Sequence, residues 1–209
     1  MKNVTQDKIR LKIDEYKAVV DGKEKKLCLI GEYHVYNLPE HNLSEKLAEG
    51  YNNYASEITV ENQNNQPLSD MLYGVVLSMF KVDLISAFFG KKGYPNLSLS
   101  LGLNGQKVHS LEESPWKPFN FHEKIKLLTD DGAFKSCGDF NKDYEMVKKS
   151  PSYEPLVKRR DKIMADNLAK LLKKEDTNDL LATVGRAHLE GVTKYLSEQV
   201  KLVEAEKLQ

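Results

Sequence analysis

Two short apolar runs in this chain each end at a glycine that a histidine follows three residues later. The first run covers residues 27–30 and is followed by GEYH at 31–34; the second covers 180–184 and is followed by GRAH at 185–188. A continuous apolar run of this length is typical of a strand that is covered on both faces, as in the centre of a parallel sheet. We therefore predict an α/β fold in which both GxxH boxes lie at the carboxyl edge of one sheet.

Further strands and helices are predicted between and around the two boxes. Apolar periodicity, capping residues and turn signals predict short strands at 57–60 and 107–111, and helices at 42–51, 69–90, 121–128, 144–148, 152–171 and 192–203. Alternating strands and helices favour a mainly parallel central sheet flanked by helices. We assign residues 1–25 to a charged leader, packed on the domain as a strand or helix, and residues 26–209 to a single domain.

The composition excludes several classes of protein. Basic and acidic residues balance at 31 each, so no overall field draws the chain to nucleic acid or to an anionic membrane. The two cysteines supply neither a disulfide framework nor CxxC metal spacing, and the first 17 residues lack the apolar core of a signal peptide. We therefore expect a cytoplasmic protein that acts on a peptide or a small molecule.

The apolar segment at residues 71–89 approaches the length of a membrane span. Lys81 and Asp83 lie near its middle, where a charge is costly in a bilayer, so we predict a buried helix of a soluble protein. The alternative is a docking face for a partner, including a second copy of the chain in a homodimer.

Each predicted strand is followed by a side chain that suits chemistry, namely His34, Glu61, Glu112 or His188. Because the carboxyl ends of parallel strands meet at one edge, we expect these side chains to face one another. Imidazole nitrogen and carboxylate oxygen are ligands for divalent Mn, Co or Zn, and we predict that His34, His188 and Glu61 hold such an ion. The alternative is that the histidines are hydrogen-bonded structural residues and the glutamates cap helices or pair with lysines.

The remaining candidates lie beside the predicted metal ligands. Glu32, inside the first box, is the nearest candidate for a general base. Arg160 interrupts an otherwise apolar helix stripe, and a guanidinium on such a face favours holding a carboxylate or a substrate oxyanion. The alternative is that the aliphatic part of the Arg160 side chain packs on the apolar stripe while its guanidinium reaches water. Glu112 is assigned to the catalytic group, and Tyr33 and Arg186 to substrate binding.

The order of these motifs resembles that of the TraB/PrgY, GumN and TIKI superfamily. The matching stretches are LIGEYH, ITVEN, VHSLEE, RRDKIMADNL and LLATVGRAHLEGV. The closing part is the most specific, because an R-[DN]-x-x-[ML]-A helix there precedes a strand and a G-x-x-H-x-x-G box, here at 160–165 and 185–191. The resemblance implies an α/β fold shared with erythromycin-esterase-like (EreA-like) and ChaN-like proteins, in which the boxes and strand-end carboxylates line one cleft.

The same resemblance implies a function. Metal-dependent peptidase activity is attributed to the TIKI branch, and ester hydrolysis and haem binding to more distant relatives. Arg186 stands where the family commonly has a small residue, and its charge would repel a metal ion or bind an anionic group of the substrate. We expect a metal-dependent hydrolase of amide or ester bonds; the alternative is a non-catalytic module that binds haem, a peptide or a protein. The residues carried over by motif are His34, His188, Glu61, Glu112, Arg160 and, in the GE-x-H form, Glu32.

Overall fold

The computed structural model describes residues 9–32, 35–57, 59, 94–114, 117–130 and 140–205. The strands in these ranges are β1 (Lys12–Val20), β2 (Lys23–Glu32), β3 (Val35–Tyr36), β4 (Tyr54–Ser56), β5 (Tyr94–Pro95), β6 (Val108–Ser110), β7 (Asp179–Gly185) and β8 (Lys201–Glu204). The helices are α1 (Leu38–Ala48), α2 (Leu97–Leu103), α3 (Phe121–Thr129), α4 (Phe140–Lys149), α5 (Arg159–Leu172) and α6 (Leu189–Ser197). A π-helical turn, Glu154–Lys158, leads into α5.

Six of the strands form one mixed sheet in the order β6-β4-β7-β2-β1-β8. The neighbours from β6 to β2 pair in parallel, whereas β1 pairs antiparallel with both β2 and β8. The predicted α/β class is confirmed, and the predicted parallel arrangement holds for the four strands from β6 to β2. On the other side of β2 the sheet is antiparallel, and the part of the assigned charged leader from Lys12 to Lys25 forms β1, the turn and the start of β2.

A two-residue turn joins β1 to β2. Asp21 and Gly22 both have positive φ angles, 50° and 76°. This is the backbone of a type I′ turn, which matches the twist of two antiparallel strands and favours the sequence Asp-Gly. The turn fixes the hairpin register, in which Val20 lies opposite Lys23.

The centre of the sheet is covered on both faces. Leu29 of β2 lies in one apolar layer with Leu168 of α5 and Val192 of α6, whereas Ile30 lies in the other layer with Leu97 of α2. Successive side chains of a strand point to opposite faces, so a strand buried on both sides requires a continuous apolar run. This explains why the run at 27–30 was a reliable signal for β2.

Helix α1 begins four residues earlier than its apolar spacing predicts. Asn37 and Glu40 form a capping box, with each side chain 2.9 Å from the other residue's backbone nitrogen. The Glu40 carboxylate, which is fully buried, also accepts hydrogen bonds from the backbone and side chain of Arg10 at 2.7–3.0 Å. The cap therefore fixes the start of α1 and also attaches the residues before β1 to it.

Two further sequence predictions are wrong in position. The second strand, expected at 57–60, is β4 at Tyr54–Ser56, and the closing helix, expected at 192–203, ends at Ser197. Residues Lys201–Glu204 instead pair antiparallel with β1. Pairing there satisfies backbone groups along the outer edge of β1, and this tertiary interaction outweighs the helical pattern of the sequence.

No helix within the described ranges is long and apolar enough to cross a membrane. The apolar segment at 71–89 lies outside those ranges. The buried helix and the docking face considered for it therefore stay predictions.

Candidate functional site

The guanidinium of Arg160 lies at the centre of a buried polar cluster. Arg160 belongs to the first turn of α5 and is 8% exposed. Its Nε donates to Glu112 Oε2 at 3.0 Å, and its Nη2 donates to carboxylate oxygens of both Glu57 and Glu112. Its Nη1 lies 3.3 Å from His188 Nε2. All three nitrogens of the guanidinium are therefore engaged.

His188 is held in place from the other side of its ring. Its Nδ1 lies 2.6 Å from Oδ1 of Asp161, the residue next to Arg160 on α5. A carboxylate accepts and a guanidinium donates, so the two partners together assign the ring hydrogen to Nδ1 and the lone pair to Nε2. The same Nε2 lies 3.8 Å from Glu57 Oε1. The imidazole is thus oriented between α5 and the strand-end loops.

The structure gives a physical reason for each of the three fixed residues in the G-x-x-H-x-x-G box. The backbone nitrogen of Gly185 donates to Glu57 Oε2 at 2.7 Å. His188, three residues later, contributes the imidazole. At Gly191 an added Cβ would overlap the carboxylate of Asp161. The box therefore supplies one donor, one ring and the space for the carboxylate that orients the ring.

The cluster carries more negative than positive formal charge, because three carboxylates surround one guanidinium and one imidazole. Burial raises the pKa of Glu112, and the guanidinium of Arg160 opposes this rise in part. Burial also raises the pKa of Asp161, against the hydrogen bond from His188. Buried acids with raised pKa values in contact with a histidine are groups suited to proton transfer.

Three of the predicted site residues are brought together by the fold. Arg160 holds a carboxylate, as its place on the apolar stripe of α5 indicated, and that carboxylate is Glu112, which follows β6. His188 follows β7 and completes the group. The strand-end argument therefore found Glu112 and His188, and the interrupted apolar stripe found Arg160.

Two residues of the cluster were missed. Glu57 directly follows β4, so the rule that selected Glu61 selects Glu57 once the strand is placed at its true position. Asp161 stood in the quoted motif RRDKIMADNL, but no role was assigned to it. Tyr33, His34 and Glu61 lie outside the described residues.

The first residues of the two boxes lie side by side at the ends of β2 and β7. Glu32 is the parallel partner of Gly185, and its carbonyl accepts a 2.9 Å hydrogen bond from the backbone nitrogen of Arg186. An added Cβ at Gly31 would lie 2.9 Å from Leu189 Cδ2, so this glycine permits the close approach of the second box. Strand alternation places the buried Glu32 on the Ile30 face, opposite the face that α5 covers.

Whether the described side chains can hold a metal ion depends on the partners that their oxygen and nitrogen atoms already have. Glu57 and Glu112 both bind Arg160, and the lone pair of His188 Nε2 faces the same guanidinium. Among the residues that the structure describes, no group of three or more His, Cys, Asp or Glu side chains is arranged to hold a metal. As arranged, these donors do not fit a resident ion, because Arg160 occupies the place of the cation.

A cavity adjoins the cluster. Its volume is about 360 Å³, and Glu112 belongs both to its wall and to the Arg160 cluster. Glu112 is therefore the point at which the buried cluster meets space large enough for part of a ligand.

The comparisons with known proteins name no family for the chain. No family profile matches it, and no solved structure matches it. One similar sequence is an uncharacterized protein of Methanocaldococcus jannaschii, 36% identical over 85 residues. That stretch is 40% of this chain and 21% of that protein, so the matched part of the chain spans about a fifth of the relative's length. The resemblance to the TraB and TIKI superfamily therefore stays a prediction.

Proposed function

We propose that the chain is a hydrolase that cleaves an amide or ester bond at the Arg160 cluster. The observation that carries the proposal is the burial of Arg160, Glu112 and His188 together at the carboxyl ends of parallel strands, beside a cavity that Glu112 lines. In open α/β sheets, ligands bind outside the carboxyl ends of the strands. A peptide or a small molecule is the proposed substrate.

Glu112 is the proposed group for proton transfer, in the role that the sequence first assigned to Glu32, because Glu112 lines the cavity and contacts Arg160. A water molecule attacks the substrate carbonyl, a C–O bond forms, and Glu112 accepts the proton of the water. The C–N or C–O bond to the leaving group then breaks, and the leaving group takes the proton from Glu112.

Arg160 is the proposed stabiliser of the oxyanion. In the resting cluster its charge is shared by Glu57 and Glu112. When Glu112 becomes protonated, its hold on the guanidinium weakens at the moment when negative charge develops on the carbonyl oxygen. The oxyanion then replaces Glu112 as the partner of Arg160, so the guanidinium keeps a balanced charge throughout.

The metal ion and the finer fold class are separate from the steps above. Holding the predicted divalent Mn, Co or Zn ion together with His34 and Glu61 would require His188 Nε2 to leave Arg160, because its lone pair faces the guanidinium; such an ion would polarise the carbonyl and acidify a water molecule. None of the steps above requires it. The geometry of the G-x-x-H-x-x-G box supports an erythromycin-esterase-like or ChaN-like fold, and a cytoplasmic location and a homodimer through residues 71–89 are proposed with it.

The test is a hydrolysis assay on a panel of p-nitrophenyl esters and peptide amides. Glu112→Gln should lower kcat by about 100-fold or more, because a side chain that transfers a proton contributes at least that factor. The matched control is Glu145→Gln, since Glu145 is an exposed glutamate of α4 that pairs with Lys148 at 2.8 Å. Equal rates for Glu112→Gln and the parent protein would contradict the proposal.

A second function, binding without catalysis, is favoured by one observation. Every nitrogen of the Arg160 guanidinium already has a partner, and a fully satisfied buried network is also what rigidifies a scaffold. In that case the cleft takes haem, a peptide or a protein. Titration with haem would then produce a Soret band, and no member of the substrate panel would be consumed.

A further inference from the structure

We propose that the cavity beside Glu112 is a binding subsite for an uncharged aliphatic group. The proposal rests on the proposed function in one respect, namely that the occupant is part of the substrate. Ile163 and Asn167 of the cavity wall lie three and seven positions after Arg160 on α5. Residues at these spacings share one side of a helix, so the cavity continues along α5 from the guanidinium.

The walls of the cavity are apolar inside and balanced in charge at the rim. Pro118 and Ile163 supply apolar surface. Asn167 is fixed by a 2.9 Å hydrogen bond from its Nδ2 to the backbone oxygen of Leu111. At the rim, Glu113 and Lys117 are 77% and 61% exposed and form an ion pair with each other. This wall favours an apolar occupant over a charged one.

The volume of the cavity and the charge of the neighbouring Arg160 cluster further limit which ligands can bind. At about 30 Å³ for each water-sized group, 360 Å³ holds on the order of ten non-hydrogen atoms. The excess of carboxylates in the Arg160 cluster disfavours an anion close to Glu112. An acyl chain of a few carbons, or a side chain the size of leucine, fits both conditions.

The test measures binding without turnover. Acetamide, butyramide and hexanamide are titrated against the full chain by saturation-transfer NMR, with hexanoate as an anion of matched length. Affinity should rise roughly three- to fourfold for each added methylene, because each one buries apolar surface. Hexanoate should bind on the order of tenfold more weakly than hexanamide at neutral pH. Affinities that do not depend on chain length, or equal binding of hexanoate and hexanamide, would overturn the subsite.

Ile163→Phe tests the position of the subsite directly. The longer aromatic side chain occupies part of the cavity and should weaken hexanamide binding by roughly tenfold, about what removing two methylenes from contact would do. The control is Ile125→Phe, the same change at a 46% exposed isoleucine of α3 that is outside the cavity wall. If Ile163→Phe fails to fold, the chain-length series on the parent protein still decides the question.

Failure of the subsite and failure of the proposed function give different results. A chain that binds hexanamide in the predicted way but hydrolyses nothing in the substrate panel keeps the subsite and loses the hydrolase. A chain that hydrolyses acetyl and hexanoyl esters equally, before and after Ile163→Phe, keeps the hydrolase and loses the subsite.

Discussion

Gly191 leaves room for the carboxylate that orients His188. An added Cβ would overlap the Asp161 carboxylate, which holds His188 Nδ1. We expect Gly191→Ala to lower the free energy of unfolding by about 1–3 kcal/mol, as overpacking in a core does. It should also change the ¹⁵N shifts of the His188 ring, because the hydrogen bond to Nδ1 is displaced. Denaturant unfolding and NMR measure the two effects.

The matched control for Gly191→Ala is Gly50→Ala. There an added Cβ would have its nearest neighbours at 3.5 Å, an ordinary contact, so we expect little change in stability. If both variants unfolded alike, the crowding between Gly191 and Asp161 would have no energetic consequence.

Arg160 balances part of the negative charge of Glu57 and Glu112, so its removal should destabilise the folded protein. Arg160→Met leaves Glu57 and Glu112 buried without a cation, and breaking a buried ion pair in this way costs about 3–5 kcal/mol. Mn²⁺ or Zn²⁺ should then raise the Tm of the variant more than that of the parent protein, because the freed oxygens and His188 Nε2 become donors. Thermal unfolding with and without metal measures this, and equal shifts would show that Arg160 does not occupy a cation's place.

The neighbouring residue provides the control for that variant. Arg159 pairs with Glu123 and Glu154 at 3.0 and 2.7 Å, and its side chain is 36% exposed. Pairs this accessible to water contribute about 0–1 kcal/mol, so Arg159→Met should be mild and should not respond to metal.

The pH dependence of Arg160→Met has a definite sign. Without the guanidinium, burial holds the pKa of Glu112 above its unfolded value with less opposition than in the parent protein. The folded state then binds more protons than the unfolded state between those two values, so stability rises as the pH falls through the folded pKa. Urea unfolding at a series of pH values measures this trend, which a falling stability on acidification would contradict.

The start of helix α1 depends on the charge of Glu40. Burial alone would raise the pKa of Glu40, but hydrogen bonds from Arg10 and Asn37 outweigh it and hold the pKa below its ordinary 4.5. A carboxyl group with a lowered pKa adds stability above its unfolded pKa and loses it as the pH falls through the folded value. Glu40→Gln should therefore lower stability at pH 7 by about 1.5–3 kcal/mol and flatten the acid loss below pH 4.5.

Urea unfolding between about pH 2.5 and 7, the range in which carboxyl groups titrate, tests this prediction. Glu49→Gln is the control, because Glu49 is an exposed glutamate at the other end of the same helix. An unchanged acid transition in Glu40→Gln would mean that another carboxyl group sets it.

The elements that the sequence predicted well are those with a strong local signal. The runs at 27–30 and 180–184 lie within β2 and β7, where burial on both faces requires apolar residues throughout. Strand β4 is only the three residues Tyr54–Ser56, and the more apolar stretch after it led to a predicted strand that starts three residues too late. Strand β8 exists because β1 needs a partner, which no local pattern encodes.

The site was predictable to the same extent as the strands that position it. Glu112 and His188 were found because β6 and β7 were placed correctly, and Arg160 because a charge on an apolar stripe needs a partner. Glu57 was not predicted, because the strand that precedes it was placed at 57–60 instead of at Tyr54–Ser56. Asp161 acts through His188 rather than from a strand end, so the argument from strand ends had no means of finding it.

For the molecule as a whole, stability should be graded across the sheet. The central strands β2 and β7 are covered on both faces, whereas β8 is a four-residue edge strand that is largely exposed. In native-state hydrogen exchange the amides of β2 and β7 should exchange last, and those of β8 among the first. Equal protection of β8 and β7 would show that the sheet opens only as one unit.

The pairing of β2 with β7 also sets an order in time. Lys26 lies beside Asp179, roughly 150 positions later in the chain. At a synthesis rate of about 5–20 residues per second, β2 waits on the order of ten seconds on the ribosome before its parallel partner exists. The hairpin of β1 and β2 can form at once, but one side of β2 stays uncovered during that wait. One edge of β2 therefore stays unpaired until Gly185 has been made, and the Arg160 cluster can close only after His188 has followed it.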